Sequence, residues 1–128
     1  MILLDSNIVI AFFKKEPVIS ERILSQIDQI ALSSLVIAEL DYGAKASQKS
    51  IENMVKLYRF VELIDVIPFD LDCAKMFGTI KTKLRRMGKP TGEVDALLAA
   101  AAITYGMSLA TKNIRHFENI EGLKLEVW

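Results

Sequence analysis

The chain begins with the segment MILLDSN at residues 1–7, a short apolar run that closes on the carboxylate of Asp5. Short apolar runs of this kind recur along the chain and alternate with longer segments that have helical periodicity. Such alternation is typical of an α/β domain with a mostly parallel sheet and right-handed crossovers. The opening run is therefore predicted to form the first strand, with Asp5 at its carboxyl end.

The same patterns predict the remaining elements. Strands are predicted at five runs: Ile2–Leu4, Ile30–Leu32, Val66–Phe69, Ser108–Thr111 and Leu123–Val127. Helices are predicted between them at six segments: residues 7–14, 20–28, 35–46, 50–63, 71–87 and 93–105. Ser34, Asp70 and Thr91 are candidate helix starts, and Gly88 and Gly106 are candidate stops.

The composition restricts the class of protein. The chain has 128 residues, 52% of them hydrophobic, which predicts a single domain over residues 1–128 with its own core. Because 16 basic residues balance 16 acidic ones, nucleic-acid binding would depend on local patches and metal ions. No apolar run approaches the roughly 20 residues of a membrane helix, and no basic leader precedes the first strand, so a cytoplasmic protein is expected.

Carboxylates are expected to meet at the carboxyl edge of the sheet, where parallel α/β folds bind their ligands. Asp5 ends the first strand, Glu39 lies early in the helix after the second, and Asp95 lies in the first turn of the helix that leads into the fourth. Asn113 follows that fourth strand. All four side chains should therefore face one cleft.

Three carboxylates in one cleft would repel one another and raise their pKa values unless a cation neutralised them. Mg²⁺ and Mn²⁺ prefer oxygen ligands and need only a few protein carboxylates. A single histidine and a single cysteine argue against a zinc site. A divalent cation at this edge can activate water and stabilise charge on a phosphodiester, which is the chemistry of a nuclease.

Each acid also has a purely structural interpretation. Asp5 could cap the helix that begins near Ser6, and Asp95 could complement the positive end of its helix. Glu93 is interpreted as a helix-start acid. Glu39 lies in a mostly apolar stretch, where an unpaired charge would be costly, and this favours a functional role for it.

Basic residues cluster towards the end of the predicted helix 71–87, beside the loop that leads to Asp95. Cations are favourable at a helix C-terminus without any ligand. The alternative is contact with a nucleic-acid backbone, for which the candidates are Arg85, Arg86 and Lys89. His116, the only histidine, falls in a predicted surface turn, where a structural or solvent-facing role is favoured over acid–base catalysis.

Four segments occur in an order that resembles one known family. They are LLDSN at 3–7, SSLVIAEL at 33–40, GEVDALLAA at 92–100 and ATKNIRHF at 110–117. Together they resemble the PIN-domain family, and within it the VapC-type toxins of toxin–antitoxin modules. Each segment alone is unspecific, but four in order at positions compatible with the fold are a strong signal.

The resemblance implies a three-layer α/β/α sandwich with sheet order 3-2-1-4-5, RNA cleavage with Mg²⁺ or Mn²⁺, and inhibition by a cognate antitoxin. Asp5, Glu39 and Asp95 match the family's metal-binding acids, and Ser6 matches the small hydroxyl residue that orients the first acid. Many relatives carry an acid where this chain has Asn113. A one-metal resting state is therefore expected, with the amide oxygen of Asn113 outside the metal's own ligands.

Two alternatives remain at this point. A phosphatase of the haloacid-dehalogenase kind also begins with an acid after its first strand, but its second acid would fall at Asn7. A non-catalytic receiver-like regulatory domain has a similarly wound sheet and would leave Glu39 unexplained.

The predicted partners, besides RNA, are a second copy of the chain and a small VapB-like antitoxin. The high apolar content suggests a buried interface, and symmetric pairing is the usual form of self-association. The predicted first helix carries more apolar side chains than one buried face uses, and part of it is a candidate groove for an antitoxin helix. These side chains are Ile8, Ile10, Phe12 and Phe13.

Overall fold

The centre of the molecule is a five-stranded parallel sheet, seen in a computed structural model that describes residues 1–128. Its strands are β1 (Ile2–Leu4), β2 (Ile30–Ser33), β3 (Asp65–Ile67), β4 (Ser108–Thr111) and β5 (Leu125–Val127). They lie in the order β3-β2-β1-β4-β5, and every neighbouring pair is parallel. The predicted α/β class and the sheet order implied by the family resemblance are both confirmed.

Six helices connect the strands, as predicted. They are α1 (Ser6–Phe13), α2 (Pro17–Ser25), α3 (Ser34–Ala46), α4 (Ser50–Val61), α5 (Leu71–Met87) and α6 (Glu93–Thr104). Short 3₁₀ turns lie at Ile27–Gln29 and Ile114–His116. Helix α2 begins earlier than predicted because Pro17 occupies its first turn, where the missing N–H removes no helical hydrogen bond.

Two of the predicted helix starts are displaced by one residue. Ser33, and not Ser34, caps α3, since its hydroxyl accepts a 3.1 Å hydrogen bond from the backbone N–H two residues further on. Gly92, and not Thr91, precedes α6. Asp70 caps α5 as predicted. Side-chain caps of this kind fix where each helix leaves the sheet.

The core is formed by the three central strands and the helices on their two faces. Every residue of β1 and β2 is buried, whereas no residue of the edge strands β3 and β5 is fully buried. Helix α6 contributes an almost continuous run of buried small residues, Ala96 and Ala99–Ala102. Small side chains allow a helix to lie close to its neighbours, so α6 is held firmly with Asp95 in its first turn. None of the helices is both long enough and apolar enough to cross a membrane.

The close packing of α6 predicts that a larger side chain at Ala100, which has no exposed surface, will destabilise the fold. Ala100→Leu should lower the free energy of unfolding by about 1–3 kcal/mol through overpacking. Urea denaturation followed by circular dichroism measures this. The matched control is Val94→Leu, on the same helix but 47% exposed, which should leave the midpoint unchanged. An unchanged midpoint for Ala100→Leu would show that α6 is not closely packed.

Candidate metal centre

The site begins where β1 and β4 end side by side. Leu4 pairs with Ala110 in the parallel ladder, and the backbone N–H of Asp5 donates to the carbonyl of Ala110 at 2.9 Å. The next residue on each strand therefore comes into contact across the sheet edge. The Thr111 hydroxyl donates a buried 2.8 Å hydrogen bond to Oδ2 of Asp5.

The Asp5 carboxylate receives two further hydrogen bonds. The backbone N–H of Ser6 donates to Oδ1 at 2.8 Å, and the side-chain amide of Asn7 donates to Oδ2 at 3.3 Å. Asp5 thus caps α1, as its structural interpretation predicted. A carboxylate has about four acceptor positions, so these neutral donors leave one position free. They orient the charge without neutralising it.

Thr111 connects these contacts to the segment that follows β4. Its hydroxyl oxygen accepts hydrogen bonds from the backbone N–H of Asn113 at 3.0 Å and from the amide of Asn7 at 3.4 Å. Asn7 in turn accepts from the backbone N–H of Lys112 at 3.2 Å. The start of α1 and the turn after β4 are therefore fixed relative to one another.

Thr111 and Asn7 were not predicted as site residues. The expectation for Ser6 needs a correction: its backbone amide contacts Asp5, whereas the hydroxyl that does so belongs to Thr111. The physical reason is that the end of β4 lies beside the end of β1. The expected sheet order 3-2-1-4-5 makes β4 the neighbour of β1, so it could have predicted a contact between Thr111 and Asp5.

Asp95 is the second acid of the site. Burial raises the pKa of Asp95, the neighbouring His116 opposes this, and the negative charge of Asp5 raises it further. The side chain is 26% exposed. Neither Asp5 nor Asp95 has a lysine or arginine within 4.0 Å. Two neighbouring carboxylates without a permanent cation are a donor set that suits a hard divalent cation.

His116 contacts this acid directly, although a structural or solvent-facing role was favoured for it. Its Nδ1 lies 3.1 Å from Oδ2 of Asp95, and its side chain is 55% exposed. The contact joins the turn after β4 to the first turn of α6. Sequence spacing cannot indicate such a contact, because the chain reverses direction between the two residues.

Glu39 lies on α3 and is not among the charges that shift the pKa of Asp95. It is exposed and forms no ion pair, so the expectation that its charge is costly in an apolar environment was wrong. The buried residues of α3 are Val36 and Ala44. As the sixth residue of α3, Glu39 lies about 8 Å along the helix axis from its first residue. No three acidic, histidine or cysteine side chains converge into one ligating group.

Asn113 also lies at the surface. Its backbone is held by Thr111, whereas its side-chain amide has no hydrogen-bond partner in the protein. It shares a shallow cleft of about 370 Å³ with Arg115 and His116. The charge of Asp5 is close enough to raise the pKa of Asp95, and Asn113 lies beside His116 in one cleft. Glu39 lies on a different helix, α3.

The basic cluster at the end of α5 divides into paired and unpaired members. Lys81 forms a 2.9 Å ion pair with Glu93, and Lys83 forms a 3.0 Å ion pair with Glu121. Three exposed cations have no carboxylate within 4.0 Å: Arg85, Arg86 and Lys89. Arg85 and Lys89 line a cleft of about 500 Å³ beside the loop that leads to α6.

A groove of about 350 Å³ lies between α1, α3 and α4, and Glu39 is on its wall. Of the four apolar side chains expected to form a groove, Ile10 and Phe13 line it. Ile8 is fully buried in the core, and Phe12 packs on Phe60 at 5.1 Å between ring centroids. Only half of the proposed apolar surface is therefore available to a partner at this groove.

Curated relatives match almost the whole chain. The tRNA(fMet)-specific endonuclease VapC of Shigella flexneri is 36% identical, and the match covers 98% of this chain and 96% of that protein. Ribonuclease VapC2 of Rickettsia felis is likewise 36% identical, with the same coverage.

Chains in solved VapBC structures have the same fold over nearly the whole chain. VapBC2 of Rickettsia felis bound to a promoter DNA fragment contains a chain that superposes with a TM-score of 0.93 at 35% identity, covering 100% of this chain and 99% of that one. A chain in the DNA-bound VapBC structure from Salmonella typhimurium gives 0.94 at 31% identity, covering 99% and 97%. The PIN domain profile matches residues 2–123. The chain therefore belongs to the PIN-domain family.

Proposed function

We propose that the chain is the ribonuclease toxin of a VapBC-type toxin–antitoxin module and hydrolyses RNA phosphodiesters with Mg²⁺ or Mn²⁺. The observation that carries the proposal is the pair of neighbouring carboxylates, Asp5 and Asp95, without a lysine or arginine partner at the carboxyl edge of the sheet. Relatives over the full length are named VapC ribonucleases. The phosphatase alternative is not favoured, because Asn7 donates a hydrogen bond to Asp5 where that class needs a second acid.

Asp5 and Asp95 are the residues that would hold the cation. When bound, the cation supplies an activated water and stabilises negative charge on the phosphodiester. Thr111, Asn7 and the Ser6 amide keep the Asp5 carboxylate in one orientation, so it needs no reorganisation when the substrate arrives.

Glu39 is the third acid of the proposal. Its side chain is exposed and has no competing partner, and α3 packs against both α1 and α6, the helices that begin with the aspartate segments. Asn113 would contribute its amide oxygen from outside the metal's own ligands. A neutral amide there keeps the negative charge of the site low, which is consistent with a single resident cation.

The unpaired cations at the end of α5 are proposed to bind the RNA backbone. Phosphate contacts position a nucleic acid without reading its sequence. Arg85 and Lys89 face a cleft that adjoins the loop leading to Asp95, so a strand held there would pass close to the acids.

The groove between α1, α3 and α4 is proposed to receive a helix of a small VapB-like antitoxin in the cytoplasm, where a ribonuclease needs restraint. Ile10 and Phe13 would contact the apolar face of that helix. Because Glu39 lies on the same wall, an antitoxin with a basic side chain would compete with the cation for negative charge. A homodimer is proposed as the assembled form.

Asp5→Asn, Glu39→Gln and Asp95→Asn should each abolish RNA cleavage by the purified protein in Mg²⁺ or Mn²⁺, because each removes a charge needed by the cation. Cleavage of labelled RNA measures this. The matched control is Glu93→Gln, on the same helix as Asp95 but paired with Lys81, which should cleave at a near wild-type rate.

Thermal unfolding in a chelator shows whether each of these variants folds. Asp95→Asn should be more stable than wild type, because the raised pKa of Asp95 means that the fold disfavours its charged form. A folded variant that cleaves like wild type would remove its residue from the site.

The double variant Arg86→Ala with Lys89→Ala should bind RNA more weakly and with a smaller dependence on salt. The logarithm of the affinity falls with the logarithm of the salt concentration, and each lost phosphate contact with single-stranded RNA makes this slope less steep by about 0.7. Fluorescence anisotropy across a salt series measures both quantities. The control is Arg59→Ala with Lys75→Ala, which removes the same charge from exposed positions elsewhere. If the two double variants have equal salt-dependence slopes, the α5 cations do not contact RNA and only stabilise the end of their helix.

Phe13→Glu should prevent binding of the antitoxin encoded beside this chain, because it buries a charge in the apolar part of the groove. Co-purification after co-expression measures the complex, and light scattering of each species measures its oligomeric state. The control is Val18→Glu on α2, which is 76% exposed and lies outside the groove. An intact complex with Phe13→Glu would place the antitoxin on another surface while leaving the nuclease site unaffected.

A further inference from the structure

We propose that the groove between α1, α3 and α4 continues into a positively charged aromatic cleft, which binds an acidic, amphipathic segment of the antitoxin. This inference rests on the proposed function. The aromatic cleft has a volume of about 350 Å³ and lies where the end of α1 meets the end of α4. It is lined mainly by Phe12, Phe13, Phe60, Lys15, Lys56 and Arg59. Phe13 and Lys56 also line the groove, so the two form one continuous surface.

Cations dominate the charged side chains of this combined surface. The charged residues that line it are Lys14, Lys15, Lys56, Arg59 and Glu39. All four cations are exposed, and none has a carboxylate within 4.0 Å. The chain as a whole has no net charge, so the surface is a local excess of positive charge. Carboxylates on a partner would be complementary to it.

The apolar part of the aromatic cleft is formed by three packed rings. Phe12 and Phe60 lie 5.1 Å apart between ring centroids, and Phe13 meets Phe60 edge-on at 5.9 Å. These rings are buried or half-buried, whereas the cations around them are exposed. Such a surface fits a segment that points apolar side chains inward and acidic side chains towards the rim.

Lys15 has a backbone conformation that favours glycine. Its φ is +60°. Its N–H donates to the carbonyl of Phe12 at 3.0 Å, and the N–H of Glu16 donates to that of Ala11 at 3.1 Å. This is the Schellman arrangement at the end of a helix, in which the left-handed residue is usually glycine. A lysine there is strained, and strained residues concentrate at functional sites, which supports a role for its side chain.

Two other occupants fit this surface less well. The three rings pack against one another and Phe60 is 4% exposed, which leaves little free ring face for the stacking of RNA bases. A second copy of the chain, paired symmetrically, would bring the cationic rims of both copies together. An acidic segment has neither disadvantage.

Site-specific photo-crosslinking tests whether the antitoxin reaches the aromatic cleft. In the chain co-expressed with the antitoxin encoded beside it, p-benzoylphenylalanine replaces Ile10, exposed in the groove, or Leu63, exposed in the aromatic cleft. We expect both positions to crosslink to the antitoxin, and the peptide attached at Leu63 to contain at least two acidic residues.

The pattern of crosslinks separates this inference from the proposed function. An antitoxin crosslink at Ile10 without one at Leu63 would overturn the inference and leave the proposed groove in place. No antitoxin crosslink at either position would show that the groove itself is wrong, and the inference with it. A crosslink from Leu63 to a second copy of the chain would assign the cleft to self-association and overturn the inference.

Charge reversal tests the role of the cations. Lys15→Glu with Arg59→Glu should weaken binding of the purified antitoxin by about tenfold or more, and should remove the weakening by salt that wild type shows. The control is Lys75→Glu with Lys124→Glu, which makes the same charge change at exposed, unpaired positions elsewhere. Equal antitoxin affinities for the two double variants would overturn the proposal. Weaker RNA binding by the first variant than by the control, with equal antitoxin binding, would assign the cations to RNA.

Lys15→Gly separates binding from folding. It removes the cation and relieves the left-handed strain, so the variant should unfold at a higher temperature than wild type. It should nevertheless bind the antitoxin about two- to fivefold more weakly. Thermal unfolding and anisotropy with labelled antitoxin measure the two quantities. Higher stability with unchanged affinity would show that the Lys15 side chain has no contact with the antitoxin, and would contradict the proposal.

Discussion

The hydrogen bond from Thr111 to Asp5 connects the chemistry of this chain to its fold. Asp5 is 7% exposed, and a carboxylate taken out of water costs several kcal/mol unless its oxygens are satisfied. Thr111, Ser6 and Asn7 satisfy it. Thr111 reaches Asp5 only because β4 pairs with β1 in the observed register. The central strand pair is therefore a condition for keeping a charged group at this edge.

The same contacts satisfy the hydrogen-bonding needs of Asp5 and leave its charge in place. A lysine or arginine beside it would stabilise the apo fold but would also occupy the position of a cation. The uncompensated charge of Asp5 affects Asp95, because burial and the charge of Asp5 both raise the pKa of Asp95. The fold thus carries a local electrostatic cost that a bound divalent cation would relieve, so under the proposed function metal binding would increase stability.

Much of the fold was predictable because local patterns determine it. Periodicity identified each strand and helix, and the predicted bounds of α5 match those observed. The sheet order came from the family resemblance. The contacts of Thr111 and His116 were missed because they join segments far apart in the chain, 106 residues in the case of Thr111 and Asp5. Glu39 was wrongly expected to be buried, because apolar neighbours in sequence do not determine which side of a helix faces the core.

Under the proposed function, the distribution of charge separates the surface that would bind RNA from the acids that would take part in cleavage. The net charge is zero, so the protein as a whole does not attract a polyanion over long distances. Attraction of phosphates would depend on local unpaired cations, among them those at the end of α5, acting within a Debye length of about 8 Å at physiological salt. Asp5 and Asp95 repel phosphate until a cation is present. Under the proposed function, the α5 cleft would attract phosphates, and a bound metal would then allow a phosphodiester to approach the acids.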